Sequence, residues 1–525
     1  ADGAGAGKGG WVVGGRVPAV SIGALGGCGR VWAIDLSRVH AIGGGAFQNT
    51  ALTSVQRNAA VSSVPNKAFC GGAQLTSVSL PENLQEIGAS AFYNCTNLTS
   101  VAIPDGITSI GNSAFMQSGL TSVVVPASVT SMGTSVFADC AGLASASIKA
   151  DIALPGSTFI RCAALSRFNS EEDGVCDLTA YDEIPTSAFV SAQFETVLFS
   201  SSLTSVGTNA FSGCSALTAV DFNGNTGGVT FGNQAFQNCT ALETIELPAG
   251  STLGGTMFSG CTSLKNIALP ASVSEIPSNF LQDCESLESV SIPDSVTEIG
   301  TGAFSGCTSL TSIVFGENSQ LQVLRGVTGC TALTSFTIPA GVTEIASCSG
   351  NYALIEIVNL SGLPVTAGGS DNGSIAQYAE TVAEEKPDSA FVTVGDYTLY
   401  RDGAAENEKW AVTAYNGTPE DGALVLPESF TVNGTEVTNY SIAARVFYGS
   451  ETISSVSIPA GVTSVGAFAF SNCENLVSVT FAEDSRLTSL GVSAFAGCEV
   501  LFAIPWPDSA LSVRNTASRG GPAPS

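Results

Sequence analysis

The sequence predicts a β-rich solenoid, with coils of about 22–25 residues, short helical or 3-10 turns and a small added β cap. Three observations carry that fold class. A Phe returns at positions 47, 69, 92, 115, 137, 159, 189, 211, 236, 258, 280 and 304, and again at 447, 470 and 495. A Cys-x-x-Leu step opens most units, as at Cys95, Cys140, Cys162, Cys214, Cys239, Cys261, Cys284, Cys307, Cys330, Cys473 and Cys498. Behind it comes an alternating apolar pair ended by Pro, such as Val290, Ile292 and Pro293. A period of this length means that each unit buries its apolar side against its neighbours.

The unit from Cys284 to Phe304 shows each element in order. Leu287, Val290 and Ile292 close on a two-residue alternation, the period of a strand with one face buried. Pro293 cannot donate to a ladder and ends the strand, and Asp294-Ser295 supplies turn chemistry. Val296 and Ile299 read as a second short strand, and Gly300 as a corner with positive φ. Ala303-Phe304 then fills the far side on a helical or 3-10 turn. Val327 takes the Phe position in one copy, and Ser347-Cys348-Ser349 closes a degenerate one. Each buried Leu, Val, Ile or Phe is worth about 1.5–3 kcal/mol, while ordering costs about 1–2 kcal/mol per residue. One unit should therefore not fold alone, whereas the array should.

Breaks in the pattern set the expected domains. Residues 1–27 form a Gly/Ala-rich tail, disordered over Ala1 to Gly10, and an N-terminal edge; residues 28–360 form a first array. Within that array, Phe168 to Asp182 lengthens one step to 30 residues and reads as an acidic, solvated loop around Glu171-Glu172-Asp173. Residues 361–390 read as an acidic Gly/Ser linker, extended enough to join two rods at a bend. The competing arrangement has residues near Tyr352 and Leu354 packing on the following segment. Residues 391–445 alternate like strands and form the cap of a second array over 446–505, and 506–525 is a Pro/Ser tail that fits no unit. With no initiator Met and no basic segment before an apolar stretch, the chain is expected to be a mature product or a fragment.

Composition narrows the function classes. The net charge of −27, from 45 acidic against 18 basic residues, repels phosphate backbones, so no nucleic-acid partner is expected. No apolar run of about 18 residues occurs, so this chain is not expected to insert in a membrane, and a soluble monomer is expected. No Cys-x-x-Cys pair suggests a metal, and thiols aligned in one column suit disulfide geometry badly. They read as reduced, buried, small hydrophobes, with Cys28, Cys70, Cys176 and Cys348 off the column. His40 is the only histidine and reads as exposed, which leaves no Ser–His–Asp or Cys–His set. Carboxylates such as Asp221, Glu243, Glu246 and Glu288 lie on or near strands, without a visible cleft. No catalytic, cofactor-binding or metal-binding residue is therefore expected, and no cofactor.

The variable strand positions are the expected working surface. In the middle of the first array these are Asp221, Thr244, Glu246 and Asn266. Further along they are Ser289, Ser291, Ser335 and Thr337. The face is small, polar and nearly free of aromatics, so it shows no hot spot of Trp, Tyr or Arg, while a flat hydroxyl-bearing face suits a repetitive target such as a glycan.

The unit Cys-x-x-Leu-x-x-Val-x-Ile-Pro-x-x-Val-x-x-Ile-Gly-x-x-Ala-Phe resembles the BspA-like class of leucine-rich repeats. The stretch from Phe391 to Val437 is similar to the β-rich segment that often opens such arrays, including the step from Pro427 through Asn433-Gly434 to Val437. The resemblance covers most of residues 28–505. It implies leucine-rich repeat arrays in a surface or secreted protein of bacteria or some protists, with adhesion the usual proposed role. The expected function is then a non-catalytic extracellular or cell-surface binding protein, with a protein or glycan partner. The alternatives are a passive structural spacer, or a glycan-acting hydrolase at the inter-array junction.

Overall fold

The alternation at Val290 and Ile292 becomes a strand, Ser289–Ile292, whose two serines are exposed and whose Val and Ile are buried. Successive coils place such strands in parallel and in register. Ser122–Val125 pairs residue for residue with Ser145–Ile148, and Thr244–Glu246 with Asn266–Ala268. A second parallel ladder forms from the shorter strands, as where Glu86–Ile87 lies between Ser63–Val64 and Ser109–Ile110. The structure, a computed structural model, describes residues 11–13, 19–34, 39–56, 60–384, 390–401 and 409–507. The expected tail over Ala1 to Gly10 and most of the Pro/Ser tail lie outside these. The chain divides into two compact units, one up to Val296 and one from Thr297.

In the first unit the Phe column is one stack. The rings from Phe47 to Phe258 follow one another at centroid distances of 5.2 to 5.8 Å, all nearly parallel. The next ring breaks the series. Phe280 meets Phe258 edge-on at 79°, and its carbonyl receives the Phe258 N–H, a bond that goes elsewhere to the residue before the column Phe. Leu281 is the column residue, three before Cys284, and Phe280 fills the Ala position; both are fully buried. The expected register of Phe258, Phe280 and Phe304 is thus corrected by one residue at its middle member.

The far side of the coil is not helical. Among the described residues the only helical segments are two 3-10 turns, Asn372–Ser374 and Glu420–Gly422. Around each column Phe the chain instead alternates in hand. Ser90 and Asn94, two residues either side of Phe92, have φ of 54° and 58°, and Ser113 and Gln117 repeat this around Phe115. The N–H groups of Ser90, Phe92 and Asn94 consequently reach Asn112, Ala114 and Met116 of the next coil at 2.7–2.9 Å, while those of Ala91, Tyr93 and Cys95 close turns within their own coil. Short Ser, Asn and Gly side chains recur at the left-handed positions because their backbones tolerate that region best.

Two columns gain a reason the sequence did not show. Gly300 does not have positive φ. The Gly of the Ile-Gly step serves close approach: a Cβ on Gly111 would lie 2.4 Å from Ala89 N, and one on Gly133 2.5 Å from Asn112 N. The cysteines are free thiols, buried except for exposed Cys28 and half-buried Cys498. Column thiols also donate to a carbonyl of the preceding coil, as Cys95 to Phe69 at 3.2 Å and Cys162 to Phe137 at 3.1 Å. Cys is therefore a weak donor as well as a small hydrophobe.

The expected solvated loop after Phe168 is another correction. Val175–Leu178 is an extra parallel strand, paired to Phe168 on one side and to Thr196–Phe199 on the other. Cys176 and Leu178 are fully buried, and Phe168 meets both Phe159 and Phe189 edge-on beside their stack. The sequence showed the acidic tip and not the alternation that follows it.

In the second unit the coils continue past the expected end of the array. Thr381–Ala383 pairs in parallel with Glu356–Asn359, and Ile375, Ala376 and Ala379 are buried. Residues 361–384, expected as a solvated linker and hinge, form a further coil; residues 385–389 lie outside the described set. An antiparallel meander follows, Ala390–Val394, Tyr397–Arg401 and Trp410–Tyr415, its first turn at Gly395-Asp396. Trp410–Tyr415 then pairs in parallel with Tyr440–Ile442 of the next coil, converting hairpin geometry into solenoid geometry. Asn433 and Gly434, both with positive φ, turn the hairpin Phe430–Val432 and Thr435–Val437. One core joins Leu399, Val412, Phe430 and Tyr440 to the resumed column Phe447, Phe470 and Phe495. Trp506 lies over Phe481 and Phe495, covering the last coil.

Two outcomes follow. Gly111→Ala should destabilise the chain by about 1–3 kcal/mol in urea unfolding, because the neighbouring backbone must move to admit the methyl. Burial pushes the thiols of Cys95 and Cys214 up to about 12. Above pH about 8.5 the unfolded chain sheds thiol protons that the folded chain keeps. Stability that is intact below this pH is then lost as pH rises towards the folded value, at about 1.4 kcal/mol per pH unit for each thiol. The urea midpoint should fall through this alkaline window, and Cys95→Ala with Cys214→Ala should flatten the fall. Iodoacetamide on the native chain should label Cys28 and spare the buried column thiols from Cys95 to Cys473.

Candidate functional site

Strand pleating fixes where the expected binding residues point. Asp221, Thr244, Glu246, Asn266, Ser289 and Ser291 are all exposed on the outward face of their strands in the first unit. Thr244 and Asn266 are direct cross-strand partners. One residue earlier on the same strands, Lys265 Nζ pairs with Glu243 Oε2 at 2.8 Å, a contact that raises the lysine pKa. Asp221 spends one carboxylate oxygen on the backbone N–H of Asn223 at 2.7 Å. Ser335 is exposed and Thr337 half-buried on Ser335–Ile338 in the second unit. His40 is exposed, as expected. Many hydroxyls just before the strands are already engaged: Thr76, Thr108 and Thr218 donate to carbonyls of the preceding coil at 3.0 Å. The face is therefore a shallow, repeated strand surface.

The second unit holds a concave site that the sequence did not reveal. Tyr352 precedes the strand Glu356–Asn359, and its ring lies 4.8 Å from Tyr378 and meets Phe468 edge-on at 5.6 Å. Arg445 brings its guanidinium carbon to 4.4 Å from the Tyr352 ring centre and 3.7 Å from that of Tyr448. Tyr448 is fixed in turn, accepting a hydrogen bond from Asn472 Nδ2 at 2.8 Å. The meander supplies Phe391, Thr398, Thr413 and Tyr415 on the same cleft, whose volume is about 500 Å³. That volume lies within the range of small-molecule sites.

Electrostatics in the cleft are simple. Among the described residues no Asp or Glu lines it, and Arg445 is its one cation. Burial pushes the Tyr378 phenol up to about 12, with Tyr352 adding and Arg445 opposing. Burial also raises the Tyr415 phenol, and Asp396 adds to it. Both phenols are neutral hydroxyls at physiological pH. Arg445 and Phe468 correspond in sequence terms. Both occupy the left-handed position two before a column Phe, with φ of 59° and 55°. Other coils place Ser90, Ser113, Asn209, and the longer Lys67 and Gln234 there, so the signal that could have found the cleft was the aromatic Phe468 at that position.

Behind the cleft the meander is locked to the coils. Tyr400 Oη donates to Glu356 Oε2 at 3.1 Å, and both residues are buried. This bond and the Tyr352–Phe468 contact realise the packed arrangement near Tyr352 rather than the hinge. Tyr400→Phe should lower stability by about 1–3 kcal/mol, because Glu356 loses a donor where water cannot replace it. Urea unfolding of the variant checks this, and a change near zero contradicts it.

Among the described residues no three His, Cys, Asp or Glu side chains gather to hold a metal, and no helix is long and apolar enough to cross a membrane. A search of curated proteins finds no match. Solved structures similar to the chain include a leucine rich cell surface protein of Faecalibacterium prausnitzii, at 25% identity and a TM-score of 0.36, covering 57% of this chain and 83% of that one. A leucine-rich repeat protein of Eubacterium ventriosum is similar at 18% identity and a TM-score of 0.36, covering 65% and 87%. The pneumococcal vaccine antigen PcpA is similar at 16% identity and a TM-score of 0.34, covering 59% and 74%. The family model described as BspA type Leucine rich repeat region matches residues 38–166, 182–252, 229–353 and 439–518. Those segments take in well over half the sequence and carry the Cys, Phe and Gly columns that build the coils, so the chain belongs to the BspA-type leucine-rich repeat family.

Proposed function

We propose that this chain is a non-catalytic extracellular binding protein, an adhesin-like component of a cell surface that presents its outward strand face and loops to a protein or glycan partner. Proteins of this family are typically of the surface or adhesion type. The observation that carries the reading is the outward face itself. Thr244, Glu246 and Asn266 are exposed on one in-register strand pair, and Ser289 and Ser291 on the strand of the following coil. A preformed surface loses little entropy when a partner docks. A repeated face also lets weak contacts add through effective concentration on an extended target.

A screen of the intact chain against matrix proteins and glycans, immobilised and in solution, tests the reading. Specific, saturable binding is expected, weakened about tenfold or more when Thr244, Glu246 and Asn266 are changed together to alanine. Absence of any binding by the folded chain would overturn the reading and favour a passive spacer.

A further inference from the structure

We propose that the aromatic cleft of the second unit binds a carboxylate-bearing oligosaccharide, with a uronic or sialic acid residue seated on Arg445. The proposal deepens the binding role above and rests on it. Three independent features of the cleft point to this class of ligand.

The first is convergence. Arg445 and Phe468 occupy the same turn position on consecutive coils, two before a column Phe, and both reach Tyr352.

The second feature is the state of Arg445. Its guanidinium lies over two tyrosine rings, and among the described residues no acidic side chain lines the cleft. The ring faces already hold a cation, so a cationic ligand has no place there. The in-plane N–H groups of a stacked guanidinium remain available, and their fork matches a carboxylate. In a chain of net charge −27, this is a local site for an anion.

The third feature is the pairing of ring faces with hydroxyls. Phe391 is 48% exposed and Tyr448 40% exposed, both at the cleft. Thr334, Thr398 and Thr413 line it between them. Thr413 donates its own hydroxyl hydrogen to the Thr398 carbonyl at 3.1 Å, leaving its oxygen to accept. A pyranose offers an apolar C–H face to a ring and a rim of hydroxyls to such groups, and the cavity of about 500 Å³ admits a short oligosaccharide.

Calorimetric titration of the full chain with 3′-sialyllactose and with trigalacturonate, against lactose and galactotriose, tests the proposal. One acidic sugar should bind saturably, at one site per chain, about tenfold or more tighter than its neutral counterpart. Arg445→Gln should lose about that factor and Arg445→Lys part of it, because lysine keeps the charge without the fork. Melting temperatures establish that each variant is folded. Saturation-transfer NMR on the unmodified chain gives a second readout, with sugar C–H protons expected to receive saturation from the aromatic rings. The proposal is overturned by no binding of either acidic sugar, by equal binding of neutral sugars, or by undiminished binding to folded Arg445→Gln. It also falls if the chain instead takes an acidic peptide at this cleft in preference to both sugars. If folded Arg445→Gln keeps its acidic-sugar binding while the chain still binds in the matrix and glycan screen, the cleft proposal fails and the broader binding role stands.

Discussion

Everything in this protein depends on a turn whose backbone alternates in hand. Left-handed residues two either side of a column Phe rotate successive peptides so that every second N–H leaves the coil and meets the next one. The turn thereby becomes a third hydrogen-bonding ladder beside the two short parallel sheets. A helical turn would have satisfied its own N–H groups and left neighbouring coils to be held there by side chains alone. The stacked Phe rings, the Cys Sγ–carbonyl bonds and the close Gly contacts all presuppose the spacing this ladder sets. Gly111 and Gly133 are small because the ladder draws the preceding coil to within reach of their Cα.

The columns were legible in the sequence because each repeats with its spacing intact. The single slip, at Phe280, is instructive. Counting five residues from Ile276 or three back from Cys284 leads to Leu281, whereas following the residue type leads to Phe280. Spacing reports geometry; residue type reports only volume. The hand of the turn was not legible, because Ser, Asn and Lys take either hand and the choice is made by the next coil's carbonyls. Residues 361–384 misled for a related reason. Their Gly and Ser content suggested a linker, yet Ile375, Ala376 and Ala379 give enough apolar surface for a coil that neighbouring coils already template.

The outward strand face was legible, since pleating alone decides which residues point outward. The cleft was not. Its residues are drawn from 331 to 448, and they meet only because a meander switches from antiparallel to parallel pairing at Trp410–Tyr415. No period in the sequence encodes that switch. The two surfaces also differ in kind. The strand face offers many equivalent, shallow contacts, whereas the cleft gathers aromatics and a cation of the sort that anchor interfaces.

The extra strand Val175–Leu178 has a consequence for how such a stack changes length. It adds one strand spacing, about 4.8 Å, to the strand side. On the opposite side Phe159 and Phe189 remain directly stacked at 5.8 Å, with no ring added between them in the column. The inserted layer is therefore a wedge, and Phe168 fills the gap it opens. A stack of this architecture can thus take in a half-layer as well as a whole coil while its main strand ladder, from Ser122–Val125 to Ala219–Asp221, stays continuous. The stack counts in layers, and residues are free to vary within them.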